Sequence, residues 1–332
     1  MSSQLLIGGI NVDNPLFLAP LAGVTLSGVR SFFRSLGVGL THTEMISSTG
    51  LLYGGQKTLR MLDHTQDESP LLLQLFAGDS DSLCRSAELC LKGHSYDGFS
   101  INMACPMPKI TKRGAGSALL QKPQAASEMV RRLKSFGLPV WPKIRKTVPD
   151  STYPLDTRQF TQELLEAGAD QIVIHGRTPA QRYEGLADKD EVASAAKLYP
   201  QMITASGDVY TPLDVKHYLD NGCAGVVAAR GAMTNPLMVV HSLRFLGYNT
   251  YSADDDPPLD RRSKMLIDFA DTLHERHPER IALVLLKRFI PGFFRGKTGT
   301  TEFKRTLAMT KDWDSTYQLL LDWRSYFERG IG

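Results

Sequence analysis

Short apolar segments alternate with longer amphipathic segments along the first 246 residues of the chain. The apolar segments do not alternate strictly between polar and apolar positions, which favours parallel strands buried on both faces. We predict strands over residues 16–20, 41–45, 71–76, 98–102, 140–145, 171–175, 202–206 and 225–229. The amphipathic segments predict helices over residues 27–36, 79–92, 125–136, 156–167, 190–198, 212–221 and 237–246.

Strands and helices that alternate in this way over about 250 residues fit the α/β class, and within it a (β/α)8 TIM barrel. The alternative is an open doubly wound sheet, which would carry a glycine-rich fingerprint after its first strand. The first predicted strand is followed by PLAGVT, which lacks that fingerprint. We therefore predict the barrel.

The composition changes after the predicted barrel. Residues 251–258 form an acidic segment with two prolines, and apolar residues beyond it recur at helical spacing, as at Met265, Phe269 and Leu273. We predict a barrel domain over residues 1–250 and a C-terminal helical bundle domain over residues 251–332. This bundle would contain three or four helices, and Pro291 and residues 296–299 are expected to interrupt them.

The net charge is only +3, but the positive charges are concentrated in two segments. Residues 105–147 contain ten Lys or Arg and one acid, and residues 287–311 contain seven and one. Two basic surfaces favour a polyanionic partner, although solvated helix faces would give the same pattern. The four cysteines lack metal-binding spacing and favour a reducing cytoplasm. We expect neither export nor a membrane span, because no leader pattern and no apolar run of about 18 residues is present.

The most informative segment, SINMACPMPKITKRGAGS at residues 100–117, follows a predicted strand. It places one thiol, Cys105, near the carboxamide of Asn102 and among three cations. Prolines on either side of Met107 stiffen the turn. A stiffened loop with positive charge and no acid suits a reactive group that is presented to an anionic partner.

Polar residues follow nearly every predicted strand, at the end of a barrel where functional groups gather. Each of them alone could be structural. Gly207 and Gly231 would allow close approach of the backbone to a ligand, in the two loops that usually hold a phosphate in this fold. Arg230 would add a charge-assisted contact.

Three other strand-end side chains suggest what carries that phosphate. Lys143, Gln74 and His175 around a planar ring would complete a site for flavin mononucleotide (FMN), and a lysine near the pyrimidine end would favour the anionic reduced form. The sequence shows no His, Asp or Glu grouping at ligand spacing, so we expect no metal.

In order along the chain, several segments resemble motifs of the tRNA-dihydrouridine synthase family. They are APLAGVT at residues 19–25, TEM at 43–45, NMACP at 102–106, GAGSALL at 114–120, KIR at 143–145 and HGRT at 175–178. The resemblance is strong over about residues 15–236 and weak in the helical tail. It implies an FMN enzyme that reduces uridine in tRNA with NADPH. We expect a cytoplasmic monomer that uses neither a membrane nor a metal.

The resemblance also implies roles for individual residues. Carried over by position, Cys105 would be the general acid and Asn102 would contact the uracil. The residues expected to bind FMN are Pro20, Ala22, Gln74, Lys143, His175, Gly207, Asp208, Ala229, Arg230 and Gly231. Those expected to bind RNA, besides Asn102, are Lys109, Arg113, Arg145, Arg177 and Arg288. The helical tail would share RNA binding with the barrel.

The chemistry of a thiol agrees with the role of Cys105. A hydride that adds to one carbon of the uracil double bond leaves the adjacent carbon to be protonated by a donor. An ordinary thiol pKa near ~8.5 keeps the proton available at neutral pH. A cysteine nucleophile would need a paired histidine base, which the sequence does not place. The alternatives are a flavin-barrel oxidoreductase for a small molecule, a ribosomal RNA substrate, and an RNA-binding protein without turnover.

Overall fold

The computed structural model describes residues 4–248 and 257–329 of the chain. Most of the predicted boundary segment, residues 251–256, lies outside the described residues, so the division at residue 250 stays a prediction. The strands are β1 (Leu5–Ile7), β2 (Ile10–Val12), β3 (Leu16–Leu18), β4 (Thr41–His42), β5 (Ile46–Ser47), β6 (Leu71–Phe76), β7 (Gly98–Met103), β8 (Val140–Arg145), β9 (Ile172–His175), β10 (Ile203–Ser206) and β11 (Gly225–Ala228).

Parallel strands form the barrel in the order β3–β11–β10–β9–β8–β7–β6–β4, and β5 pairs with β6 past the end of β4. Two backbone hydrogen bonds close the ring between its first and last strands. Leu18 N–H donates to the Leu40 carbonyl at 2.9 Å, and Gly39 N–H donates to the Leu16 carbonyl at 2.8 Å. The predicted (β/α)8 barrel is therefore confirmed.

Helices lie between the barrel strands and continue through the C-terminal region. They are α1 (Ser27–Ser35), α2 (Ser48–Leu52), α3 (Gln56–Leu59), α4 (Ser80–Leu91), α5 (Pro108–Thr111), α6 (Pro123–Lys134), α7 (Thr157–Glu166), α8 (Lys189–Leu198), α9 (Pro212–Asp220), α10 (Arg230–Thr234), α11 (Met238–Phe245), α12 (Leu259–Arg276), α13 (Glu279–Phe293), α14 (Thr301–Met309) and α15 (Trp313–Glu328). Local sequence sets several starts, because the side chains of Asp79, Asp156 and Thr211 cap α4, α7 and α9.

Two expectations about these elements need correction. Pro291 lies inside α13 and the helix continues to Phe293, because a proline near a helix end removes a single late N–H donor. The β1–β2 hairpin was not predicted, since its strands are only three residues long. Its apolar side chains, including Ile7 and Ile10, pack with Phe17 and Trp141 in a separate apolar cluster. The Trp141 Nε1–H donates to the Gly8 carbonyl at 2.9 Å.

The C-terminal helices pack against α1 of the barrel. The rings of Phe32 and Phe269 lie 4.4 Å apart between centroids. Next to them, the buried Arg30 pairs with the buried Glu68 at 2.5 Å, and Arg276 of α12 approaches the same carboxylate at 3.5 Å. Apolar packing and charge therefore fasten the C-terminal region to the barrel. In the parts of the chain described, no helix is both long and apolar enough to span a membrane.

Candidate active site

The carboxyl ends of the barrel strands surround a cavity of about 490 Å³. Most residues predicted for the site line it, although they come from six different strand ends. The predicted residues in the lining are Pro20, Ala22, Asn102, Cys105, Lys143, Arg145, His175, Gly207, Asp208, Ala229, Arg230 and Gly231. The strand-end rule of the barrel explains this convergence.

Other predicted residues do not line the cavity. Gln74 is fully buried beside it, and Lys109 and Arg113 are exposed on the segment that follows Cys105. Arg177 is 2% exposed and Arg288 lies on α13, where its guanidinium donates to a barrel loop. Arg177 is therefore engaged within the protein, whereas Arg288 is exposed and its contact with RNA stays a prediction.

Asn102 holds the loop that carries the thiol. Its Oδ1 accepts hydrogen bonds from the backbone N–H groups of Ala104 at 3.1 Å and Cys105 at 2.9 Å. Its Nδ2 donates to Gln74 Oε1 at 3.0 Å, and Gln74 Nε2 donates to Ser100 Oγ at 2.9 Å. The buried carboxamides thus connect the barrel interior to the position of Cys105.

Gly116 completes the loop from its other end. Its φ is +61°, and a Cβ there would lie 2.5 Å from the Cys105 carbonyl oxygen. Ser117 N–H donates to that same carbonyl at 3.0 Å. Any larger residue at position 116 would displace the backbone of Cys105, the residue that carries the thiol. The segment predicted as a loop also contains two short helices, α5 and a 3-10 helix at Gly116–Gln121.

The half-buried thiol of Cys105 lies in the cavity in its protonated form. Burial raises its pKa above the ordinary value. A hydrogen bond to the thiol from the backbone of Met107 and the charges of Arg145 and Lys143 oppose this shift. Since burial has the largest effect, the group carries a proton at neutral pH. It can therefore act as an acid toward a bound molecule.

Lys143 brings a cation into the cavity without a counter-charge. Burial, followed by repulsion from Arg145, lowers its pKa to about 7. Among residues 4–248 and 257–329, no hydrogen bond or ion pair to the Lys143 ammonium is found. An anionic or strongly accepting group in the cavity would supply the missing partner and would stabilise the charged form.

His175 is held as a neutral imidazole. Burial lowers its pKa to about 2, and the positive charges of Lys143, Arg145, Arg177 and Arg230 act in the same direction. A neutral ring keeps one donor and one acceptor nitrogen. It can therefore orient a polar ligand by hydrogen bonding but cannot serve as a cation.

Asp208 organises the loops around the cavity. Its carboxylate accepts two hydrogen bonds from Arg177 Nη2, at 2.8 and 2.7 Å, and one from Arg230 Nη2 at 3.0 Å. The Ala187 N–H donates to it at 2.7 Å. Hydrogen bonds and arginine charges keep its pKa low against the effect of burial. The carboxylate is therefore occupied by protein, and any contact of Asp208 with a cofactor would involve its backbone.

Arg145 is a buried cation bound by carbonyl groups. Its Nε donates to the Ala104 carbonyl at 2.7 Å, and its Nη1 donates to those of Thr178 at 3.1 Å and Arg182 at 2.7 Å. Tyr183, which the sequence analysis did not select as a site residue, lies beneath two guanidiniums at the cavity edge. Its ring centroid is 5.6 Å from Arg145 and 5.3 Å from Arg230.

The backbone at the ends of β10 and β11 leaves donors available. In the described residues, the N–H groups of Gly207, Asp208 and Ala229 have no hydrogen-bond acceptor in the protein. These three residues are half-buried and line the cavity, so a ligand there could accept hydrogen bonds from them. Together with Arg230, they fit the phosphate position expected from the fold. The described residues contain no group of three or more metal-ligating side chains.

Comparisons with known proteins agree with this geometry. The family model described as dihydrouridine synthase matches residues 17–325. A probable tRNA-dihydrouridine synthase of Mycobacterium tuberculosis is 30% identical over 96% of this chain and 84% of its own length. One from Treponema pallidum is 32% identical over 74% and 75%. tRNA-dihydrouridine synthase B of Pasteurella multocida is 26% identical over 92% and 91%. The chain therefore belongs to the dihydrouridine synthase family.

Proposed function

We propose that this protein reduces uridine to 5,6-dihydrouridine in tRNA, with FMN as the bound cofactor and NADPH as the source of electrons. The observation that carries the proposal is the position of Cys105, whose thiol is protonated, in the same cavity as Lys143, for whose side chain the described residues show no hydrogen-bond or ion-pair partner. Its family membership and the names of its relatives support the same reaction.

The residues present fit FMN. Backbone N–H groups at Gly207 and Ala229, together with Arg230, would hold the phosphate. Lys143 would face an electron-rich edge of the ring, and the neutral His175 would donate or accept one hydrogen bond. Gln74, whose amide is already bonded to Asn102 and Ser100, would support the site from below.

Bound FMN, once reduced by NADPH, would supply a hydride to one carbon of the uracil C5=C6 bond. The chain supplies the proton: Cys105 gives its S–H proton to the adjacent carbon, and the thiolate that remains is stabilised by the nearby charges of Arg145 and Lys143. Asn102 fixes the loop backbone so that the sulfur stays in place during this transfer.

RNA would dock over the cavity mouth through exposed cations. Lys109 and Arg113 lie on the segment that follows the Cys105 loop, and no hydrogen bond or ion pair to their side chains is found in the described residues. Phosphate contacts from such cations position an RNA without reading its sequence. The target base must leave its stack to reach a cavity in the barrel, which requires a few kcal/mol and is easiest in a loop.

The direct test supplies the purified protein with FMN and NADPH and compares an unmodified tRNA transcript, a ribosomal RNA fragment and free uridine. Dihydrouridine is measured by mass spectrometry after nuclease digestion. We expect product with the tRNA and little with the other two substrates. A protein that cannot be reconstituted with FMN, or one equally active on free uridine, would contradict the proposal.

A further inference from the structure

The loop between β3 and α1, residues 20–25, forms one wall of the cavity. Pro20, Leu21 and Ala22 are among the lining residues. The loop turns back on itself, because the N–H groups of Val24 and Thr25 both donate to the Leu21 carbonyl at 3.0 Å. The shape of this wall therefore depends on the contacts that other elements make with the turn.

Gly23, at the centre of the loop, is held on both sides by other elements. Its φ of +69° turns the backbone away from the loop interior. Its N–H donates to the carboxylate of Glu44, a buried residue that immediately precedes the cavity-lining Met45. Its carbonyl accepts a hydrogen bond from Arg288 Nη1 at 3.0 Å. One side of the clamp thus belongs to the barrel and the other to α13.

The start of α13 is fixed independently of Arg288. At the junction of α12 and α13, His277 Nε2 accepts a hydrogen bond from the Gly28 N–H at 3.1 Å. Next to it, Arg276 donates to Asp67 at 3.0 Å. Since α1 follows the loop directly, the same helix pair contacts both the loop and the helix to which the loop leads.

We propose that Arg288 is a positioning residue that holds the cavity wall at Gly23 in the shape that accepts the flavin. The proposal rests on the function proposed above, in which FMN occupies the cavity. It is an alternative to the expected role of Arg288 as a phosphate contact. A guanidinium that donates to Gly23 would link the position of the C-terminal helices to cofactor binding. A charged donor on a carbonyl is stronger than a neutral one, so its removal should be measurable.

The test compares Arg288→Ala with Arg280→Ala, an exposed arginine at the start of the same helix for which the described residues show no hydrogen-bond or ion-pair partner. FMN dissociation constants are measured by quenching of flavin fluorescence in the apoprotein. We expect Arg288→Ala to weaken FMN binding about threefold to tenfold, which corresponds to about 0.7 to 1.4 kcal/mol. Arg288→Lys should restore part of the affinity, and Arg280→Ala should leave it unchanged.

The salt dependence of tRNA binding separates the two roles of Arg288. Under the proposal, Arg288→Ala leaves the slope of log affinity against log salt unchanged. A slope reduced by about one, with wild-type FMN affinity, would assign Arg288 to a phosphate contact and overturn the proposal. Failure of the wild-type protein to bind FMN at all would instead remove the proposed function, and this inference with it.

Discussion

The backbone N–H of Cys105 donates to Asn102 Oδ1 at 2.9 Å, so the carboxamide of one residue sets the position of the other's thiol. Asn102 Nδ2 is in turn hydrogen-bonded to Gln74 Oε1. The position of the thiol therefore depends on a buried side chain of the barrel rather than on its own loop. From the family resemblance, Asn102 was expected to contact the uracil. The structure adds a positioning role that the residue fulfils before any substrate is bound.

Replacement of Asn102 should therefore reduce turnover more than cofactor binding. We expect Asn102→Ala to lower kcat for dihydrouridine formation about 10- to 100-fold, the scale associated with a misplaced reacting group. FMN affinity should change little. Asn221→Ala is a matched control, because that carboxamide bonds to α9 outside the cavity. Normal turnover of Asn102→Ala would contradict the positioning role.

Replacement of the thiol should separate the two halves of the reaction. Cys105→Ala should keep FMN binding and NADPH oxidation but lose about 10²- to 10⁴-fold in dihydrouridine formation, since it removes the acid. Stopped-flow absorbance follows the flavin, and mass spectrometry follows the RNA product. Cys84→Ala, on α4, serves as the control. Unchanged product formation by the Cys105 variant would remove this residue from the mechanism.

The pH dependence of stability should reveal the buried charge of Lys143. Its pKa is about 7 in the folded apoprotein and ordinarily ~10.4 in an unfolded chain, so between these values the unfolded state binds more protons. The free energy of unfolding should therefore rise with pH across that window. Lys143→Met should remove this contribution and stabilise the apoprotein by about 1 kcal/mol or more at pH 6.

Urea denaturation of the apoprotein at pH 6, 8 and 9.5 measures this effect. Lys216→Met, which removes an exposed lysine paired with Asp220, should leave the pH dependence unchanged. A stability difference between wild type and Lys143→Met that stays constant from pH 6 to pH 9.5 would show that the ammonium is not desolvated.

The ion pair under the C-terminal helices should be important for folding. Glu68→Gln leaves the buried Arg30 without its carboxylate partner, and we expect a loss of about 3 to 5 kcal/mol in the free energy of unfolding. Glu302→Gln removes an exposed carboxylate paired with Arg305 and should change stability far less. Equal effects of the two substitutions in urea titrations would argue against a buried pair.

The basic segment next to the thiol should contribute to RNA affinity through charge alone. Lys109→Ala and Arg113→Ala should each reduce the slope of log affinity against log salt by about one and weaken binding to all tRNAs similarly. Filter binding at several salt concentrations measures both quantities. Lys216→Ala provides a control on α9, outside both basic segments. Sequence-selective loss of binding would indicate base contacts instead.

Much of this architecture follows from the sequence because it depends on local patterns. All eight predicted strands are present, and the shorter ones, such as β4 (Thr41–His42), differ from their predictions only at the ends. Strand ends are ambiguous because a residue such as Thr43 can leave the ladder and still remain buried. The cavity-lining residues also follow from the barrel rule, once the strands are assigned.

The sequence could not predict which partner each charged side chain would have. Arg177 and Arg145 both follow buried strands in basic motifs, yet one pairs with Asp208 and the other with carbonyl groups. The partners lie 31 and 41 residues away, at distances that no local periodicity encodes. Tyr183 was missed for the same reason, since its importance derives from Arg145 at the end of β8 and Arg230 at the start of α10.

The hairpin of β1 and β2 reaches the cavity through packing. Its side chains pack with Phe17 and Trp141 in an apolar cluster that also contains Ala19 and Val227 of the cavity lining. Loosening the hairpin should therefore disturb the shape of the cavity as well as the stability of the fold, although the hairpin itself lies outside the lining.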